Sequence, residues 1–77
     1  MEDRIKNVMS AVFEIPADSI DDDSSPESIE SWDSLKHMNL VVTLEEEFDI
    51  TLNDDEIFEM INYPFIKLII AKYSGQL

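Results

Sequence analysis

The run Ser31-Trp32-Asp33-Ser34-Leu35-Lys36-His37 gathers the side chains of this chain that could do chemistry. Ser34 offers a hydroxyl, Asp33 stands beside it, and His37, the only histidine, follows three residues later. A serine nucleophile needs a base within hydrogen-bond reach, an acid to orient that base and donors for the developing oxyanion. One turn of helix rarely brings Ser and His into that geometry. No orienting acid is evident, and a chain this small lacks an oxyanion loop and room for a substrate pocket. His37 therefore reads as a half-buried structural or partner-facing residue, and no catalytic residue is expected. The other chemistry open to Ser34 is covalent attachment. At the mouth of a helix, backbone N–H groups and the positive end of the dipole favour an anionic substituent such as a phosphodiester by about 0.3–1 kcal/mol. Ser and Asp are also favoured N-caps, so the same pair reads on local physics as an ordinary helix cap. Local physics permits attachment without selecting it.

A second cluster, Asp21-Asp22-Asp23 with Asp18 and Ser24, could offer hard oxygen ligands to a divalent cation. A calcium loop of the EF-hand kind needs alternating acids, a central glycine and a distal Glu, and the glycine is absent. The cluster is expected to be a solvated acidic loop, with no metal site. Without cysteine there is no disulfide framework, thiolate zinc site or cysteine nucleophile, and a reducing compartment is compatible.

Charge narrows the partners. Eighteen Asp and Glu against five Lys and Arg leave a net charge of −13 on 77 residues. Such a field repels nucleic acid and anionic lipid and draws in basic protein surfaces. Its apolar residues fall in periodic clusters, which favours a folded core over disorder. The chain is expected to form one domain, residues 1–77, and to be a monomer. Met1-Glu2-Asp3 does not begin a basic-then-apolar leader, and no apolar run is long enough to span a bilayer. A cytoplasmic protein without membrane insertion is expected.

These side chains must be positioned by helices. Ile5, Val8, Met9 and Val12 follow the i, i+3, i+4, i+7 rule of a first helix that Pro16 should end. The stretch from Pro16 to Trp32 is a long connection, which Ile20, Ile29 and Trp32 should pin to the core. A second helix should open near Asp33 or Ser34 and run to about Phe48. Asn53 and Glu56 have the spacing of a capping box for a short third helix carrying Ile57, Phe58 and Met60. Pro64 suits the first turn of a fourth helix, on which Phe65, Leu68, Ile69 and Tyr73 should share a face and which Gly75 should stop. Phe13, Phe48, Phe58, Phe65 and Tyr73 are expected in the core, and Trp32 at its edge beside Ser34, covering the core or lying over an attached group. The fold class is all-α: a small antiparallel bundle of three main helices plus one short helix.

The second helix carries two apolar arcs. Leu40, Val41, Leu44 and Phe48 fall on one, and Leu35, Met38 and Val42 on the other. The second arc, framed by Asn39, Glu45 and Glu46, resembles a protein contact site with a charged rim. The alternative is a helix wrapped on most sides by a tiny domain.

Asp33-Ser34-Leu35, followed by Val42-Thr43-Leu44-Glu45-Glu46-Glu47-Phe48-Asp49-Ile50 and then Asn53-Asp54-Asp55-Glu56, resembles the acyl carrier protein family. Likeness covers nearly the whole chain in helix order, length and acidity, and is most specific from Trp32 to Ile57. The resemblance implies that Ser34 carries 4'-phosphopantetheine, transferred from coenzyme A by a phosphopantetheinyl transferase. It also implies an acyl or aminoacyl cargo held as a thioester and passed among loading and acyl-transferring enzymes with basic docking surfaces. Asp33, Leu35, Met38, Val42, Glu45, Glu46 and Glu47 would meet those enzymes, with Asp54 and Asp55 adding to the steering. Carriers of primary fatty acid synthesis usually have Gly and a small residue before Asp-Ser-Leu, whereas Ser31-Trp32 stands here. They also tend to place acids where this chain has Lys36, His37 and Asn39. That departure resembles free-standing carriers dedicated to lipid, polyketide or other specialised biosynthesis. The other function class is an acidic helical adaptor that keeps the fold and binds a partner without a prosthetic group.

Overall fold

A computed structural model describes residues 2–74. Four α-helices follow one another, α1 Glu2–Phe13, α2 Ser34–Phe48, α3 Asp54–Glu59 and α4 Tyr63–Ser74, with one 3-10 turn at Ala17–Ser19 in the long connection. No strand occurs among the described residues, so the chain is all-α, with three long helices and a short one. Gly75 lies outside the described residues.

Helix α1 ends three residues ahead of Pro16. Glu14 turns left-handed at φ 57°, and the Ile15 N–H reaches back to the Ser10 carbonyl at 3.3 Å. Asp49 ends α2 in the same way at φ 54°, with its own N–H and that of Ile50 both donating to the Glu45 carbonyl. Both positions would suit glycine, and acidic residues hold them at a cost of about 1 kcal/mol each.

Ile5, Val8, Met9 and Phe13 of α1 are buried against Leu40, Val41 and Leu44 of α2, and these two helices pack along one another. Ile20, Ile29 and Trp32 pin the connection to this core as expected. Two hydrogen bonds close it further: the Ser31 hydroxyl donates to the Phe13 carbonyl at 2.9 Å, and the Tyr63 N–H donates to the Ser24 carbonyl at 3.0 Å.

On α4 the expected face is corrected. Tyr63, Ile66, Ile69 and Ile70 are buried, whereas Phe65 and Leu68 are exposed. Nine of the twelve positions of this helix are apolar or aromatic, so more than one stripe satisfies a helical period, and Tyr63 decides between them. Its ring lies in the core and its hydroxyl donates to Glu2 at 3.2 Å. Burial and then Glu2 push its pKa up to about 12. With Tyr63 inward, a rotation of about 100° per residue brings Ile66 and Ile70 in and carries Phe65 and Leu68 out. Tyr73 stays partly exposed at the helix end, with its hydroxyl donating to Glu56. Phe58 is also exposed, so of the five aromatic residues expected in the core only Phe13 is fully there, with Phe48 packed against its edge.

The capping box forms: Asn53 Oδ1 accepts from the Glu56 N–H at 2.8 Å and Glu56 Oε1 accepts from the Asn53 N–H at 3.0 Å. Glu56 is also buried beneath Lys72, whose Nζ lies 2.7 Å from Oε2, and thereby ties α3 to α4. Burial alone would raise its pKa, but the Asn53 N–H, Lys72 and Tyr73 outweigh it and lower the value from 4.5 to about 2. A depressed folded-state pKa contributes stability that is present above the ordinary carboxylate value and lost as pH falls through the folded one. Urea melts of the wild type and Glu56→Gln should therefore differ most above pH 4.5 and converge as pH falls toward 2. A gap that stays constant over that range would remove the charged lock.

Candidate functional site

The mouth of α2 is built by Asp33, not by the serine. Asp33 is extended (φ −106°, ψ −174°), its Oδ1 accepts the Lys36 N–H at 2.8 Å, and its carbonyl accepts the His37 N–H at 2.8 Å. Ser34 becomes the first helical residue and is exposed, with its hydroxyl relieved of capping. The first turn of α2 contains no acid, and the Asp33 carboxylate at the cap shares the positive end of the dipole with Ser34. The hydroxyl, its exposure and that dipole fit an attached anionic group.

Beside Ser34 runs an open groove of about 730 Å³ between α2, α3 and the end of the connection. Trp32, His37, Met38, Ile57, Phe58, Met60 and Ile61 make it largely apolar, while Asp33 and Asp54 also line it. Trp32 is almost fully buried, its ring 4.8 Å from that of Phe13. Its indole Nε1–H donates to His37 Nδ1 at 3.0 Å, which leaves the imidazole proton on Nε2, 2.8 Å from the Ile57 carbonyl that accepts it. Both ring nitrogens are thus engaged with groups other than the Ser34 hydroxyl. His37 is half-buried, and it links the connection, α2 and α3.

The two arcs of α2 separate as their spacing predicts. Leu40, Val41 and Leu44 are buried and Phe48 half-buried, whereas Leu35 is 72%, Met38 49% and Val42 49% exposed. The acids beyond the strip are not equivalent. Glu45 is half-buried and its Oε2 accepts the Leu52 N–H at 2.8 Å. Glu47 pairs with Arg4 at 2.8 Å, and Arg4 also donates to the Glu47 carbonyl and lies over the Phe48 ring. Glu46, Asp54 and Asp55 are exposed. Sequence reasoning missed Phe58 and Ile61 as neighbours of Ser34. An aromatic residue in a helix of only six residues was the available signal, since so short a helix cannot bury every side.

Residues 3–62 match the family described as Phosphopantetheine attachment site, a span that contains the whole of this site. The chain belongs to the acyl carrier protein family. An acyl carrier protein of Picosynechococcus sp. is 36% identical over 73 residues, covering 95% of this chain and 90% of that relative. Another, from Buchnera aphidicola subsp. Acyrthosiphon pisum, is 39% identical over 56 residues, covering 73% of this chain and 70% of the relative. An acyl carrier protein functions as a carrier through covalently attached 4'-phosphopantetheine, and that cofactor is implied for this chain. No helix among the described residues is long and apolar enough to cross a membrane.

Proposed function

We propose that Ser34 is the attachment point, and that the chain is a non-catalytic carrier which presents an acyl or aminoacyl group to successive enzymes in the cytoplasm. The observation that carries this reading is the exposed Ser34 hydroxyl at the first position of α2, freed by the Asp33 cap and lying within the matched span. During loading the Ser34 Oγ forms a bond to the pantetheine-side phosphorus of coenzyme A. The bridging P–O bond breaks, adenosine bisphosphate leaves, and the hydroxyl proton passes to a base on the transferase. The thiol of the bound arm supplies the site for a thioester, and the chain's own residues supply docking. Leu35, Met38 and Val42 offer apolar contact, while Asp33, Glu46, Asp54 and Asp55 offer charge to basic partners. Glu45 and Glu47 add to the field although the Leu52 N–H holds one carboxylate and the other is paired with Arg4 at the surface.

Incubation with coenzyme A and a broad-specificity phosphopantetheinyl transferase should add the mass of one arm, and fragment mapping should place it on Ser34. An unmodified chain, under conditions that load other carriers, would favour an adaptor without a prosthetic group.

Electrostatic docking chiefly raises association rates and weakens as salt screens it. Raising salt toward about 0.15 M, where the Debye length is about 8 Å, should slow loading while making thermal unfolding of this −13 chain harder. Glu46→Gln should reproduce part of the slowing. Loading rates that ignore salt would remove steering from the mechanism.

A further inference from the structure

We propose that the transferase that loads Ser34 docks across the α2–α3 seam rather than along α2 alone, taking Phe58 and Ile61 into an apolar recess of its own surface whose basic rim meets Asp54 and Asp55. This deepens the reading that Ser34 bears the arm and rests on it.

Phe58 is 78% exposed and Ile61 55%, and both line the groove that opens beside Ser34. The local backbone puts them there. Helix α3 ends at Met60 in an inverse γ-turn (φ −79°, ψ 59°), where the Ile61 N–H donates to the Glu59 carbonyl at 2.8 Å. Met60 is sunk into the core, and Ile61 on the far side of the turn comes out on the groove. One residue before Phe58 the seam is fixed, because His37 donates through Nε2 to the Ile57 carbonyl at 2.8 Å and so holds α3 against α2. Phe58 is thus presented on a braced backbone, and a surface that needs no reordering binds at lower entropic cost. Burying such a ring against a partner takes apolar area out of water, and aromatic anchors of this kind dominate interface energies.

Charge identifies what covers the ring. Along the α1 edge of α2 the two cations are already paired, Lys36 with Glu14 at 3.5 Å and Arg4 with Glu47 at 2.8 Å. On the other edge, α3 contains no Lys or Arg, and none of the ion pairs among the described residues involves Asp54 or Asp55. Unpaired negative charge therefore gathers on the α3 side, where Asp54 shares the groove with Phe58. A basic protein surface gains from both features. An aliphatic cargo gains only from the apolar one, and no cargo is present before the arm is attached. A second copy of this −13 chain would bring like charges together. The enzyme that must reach the Ser34 hydroxyl is the occupant that fits both, because the ring and the acid stand around the groove it approaches.

The test measures loading of the full chain from coenzyme A by a broad-specificity phosphopantetheinyl transferase. Phe58→Ala, Ile61→Ala and Asp54→Asn are compared with the wild type and with two controls. Leu68→Ala truncates a comparably exposed apolar residue on α4, and Asp3→Asn also removes one charge from the first turn of a helix. Phe58→Ala should lower kcat/KM by about tenfold or more, the size expected for an aromatic anchor. The loss should appear as a raised KM for the carrier with kcat near that of the wild type, because the ring touches none of the reacting atoms. Ile61→Ala should act in the same way more weakly. Asp54→Asn should slow loading at low salt and flatten its salt dependence, while both controls stay near the wild type. If Phe58→Ala fails to fold, Ile61→Ala carries the comparison. Phe58 and Ile61 variants that load normally, with Met38→Ala alone slowed, would confine docking to α2 and overturn the proposal. A Leu68→Ala chain slowed as much as Phe58→Ala overturns it too. So does a Phe58→Ala chain that loads normally but, carrying dodecanoyl, loses its thioester to hydroxylamine faster than the wild type, since the groove then belongs to cargo. A wild type that gains no mass at Ser34 overturns the carrier reading instead, and this proposal with it.

Discussion

Ser34→Ala is expected to lose arm attachment completely while keeping nearly all of its stability. The two effects separate because the structure divides the helix mouth between two residues. Asp33 accepts the Lys36 N–H and satisfies one of the orphan donors of the first turn, a task the Ser34 hydroxyl does not share, so that hydroxyl can be removed without breaking the cap. An exposed position of this kind changes stability by about ±0.5 kcal/mol on substitution. Asp33→Ala should behave in the opposite sense for folding, costing about 0.5–2 kcal/mol as a lost cap. Intact mass after transferase treatment and urea melts of the three proteins check the pair. Equal labelling of the alanine variant would move attachment away from Ser34. A severe loss of stability in that variant would mean that the serine, not the aspartate, caps α2.

The helix mouth was legible because its determinants are local. An acid, a serine and the periodic apolar residues after them lie within one or two turns, where spacing translates directly into geometry. The same holds for the Asn53 and Glu56 capping box and for the two arcs of α2. The groove was not legible, because its walls come from α2, α3 and the connection. His37 is 20 residues from the carbonyl it satisfies, and no helical or strand period links them. Glu45 and Glu47 are expected from the sequence to meet partner enzymes, yet one holds the Leu52 N–H and the other holds Arg4, contacts across 7 and 43 residues. The face of α4 failed for a different reason. Tyr63, Phe65, Ile66, Leu68, Ile69, Ile70 and Tyr73 fill so much of the helix that periodicity alone could not choose a phase, and the choice fell to a tyrosine hydroxyl reaching Glu2 at the opposite end of the sequence.

The second large effect is expected in the core of α2. Leu44→Ala should cost about 2–5 kcal/mol, because Leu44 is fully buried and its removal loses both transfer energy and the contacts of a closely packed site. At roughly 0.05–0.15 kcal/mol per residue, a chain of this length has only about 4–12 kcal/mol in total, so the variant should unfold at a much lower urea concentration and populate unfolded chain near body temperature. Met38→Ala lies about 1.7 turns away on the exposed arc, and should shift the urea midpoint little while slowing transferase loading. Both are apolar truncations on one helix, so a difference between them isolates burial from helix propensity. Urea midpoints and loading rates measured on the same preparations decide the matter. If Met38→Ala proved as destabilising as Leu44→Ala, the strip would belong to the packed interior, and the docking role given to Leu35, Met38 and Val42 would fall with it.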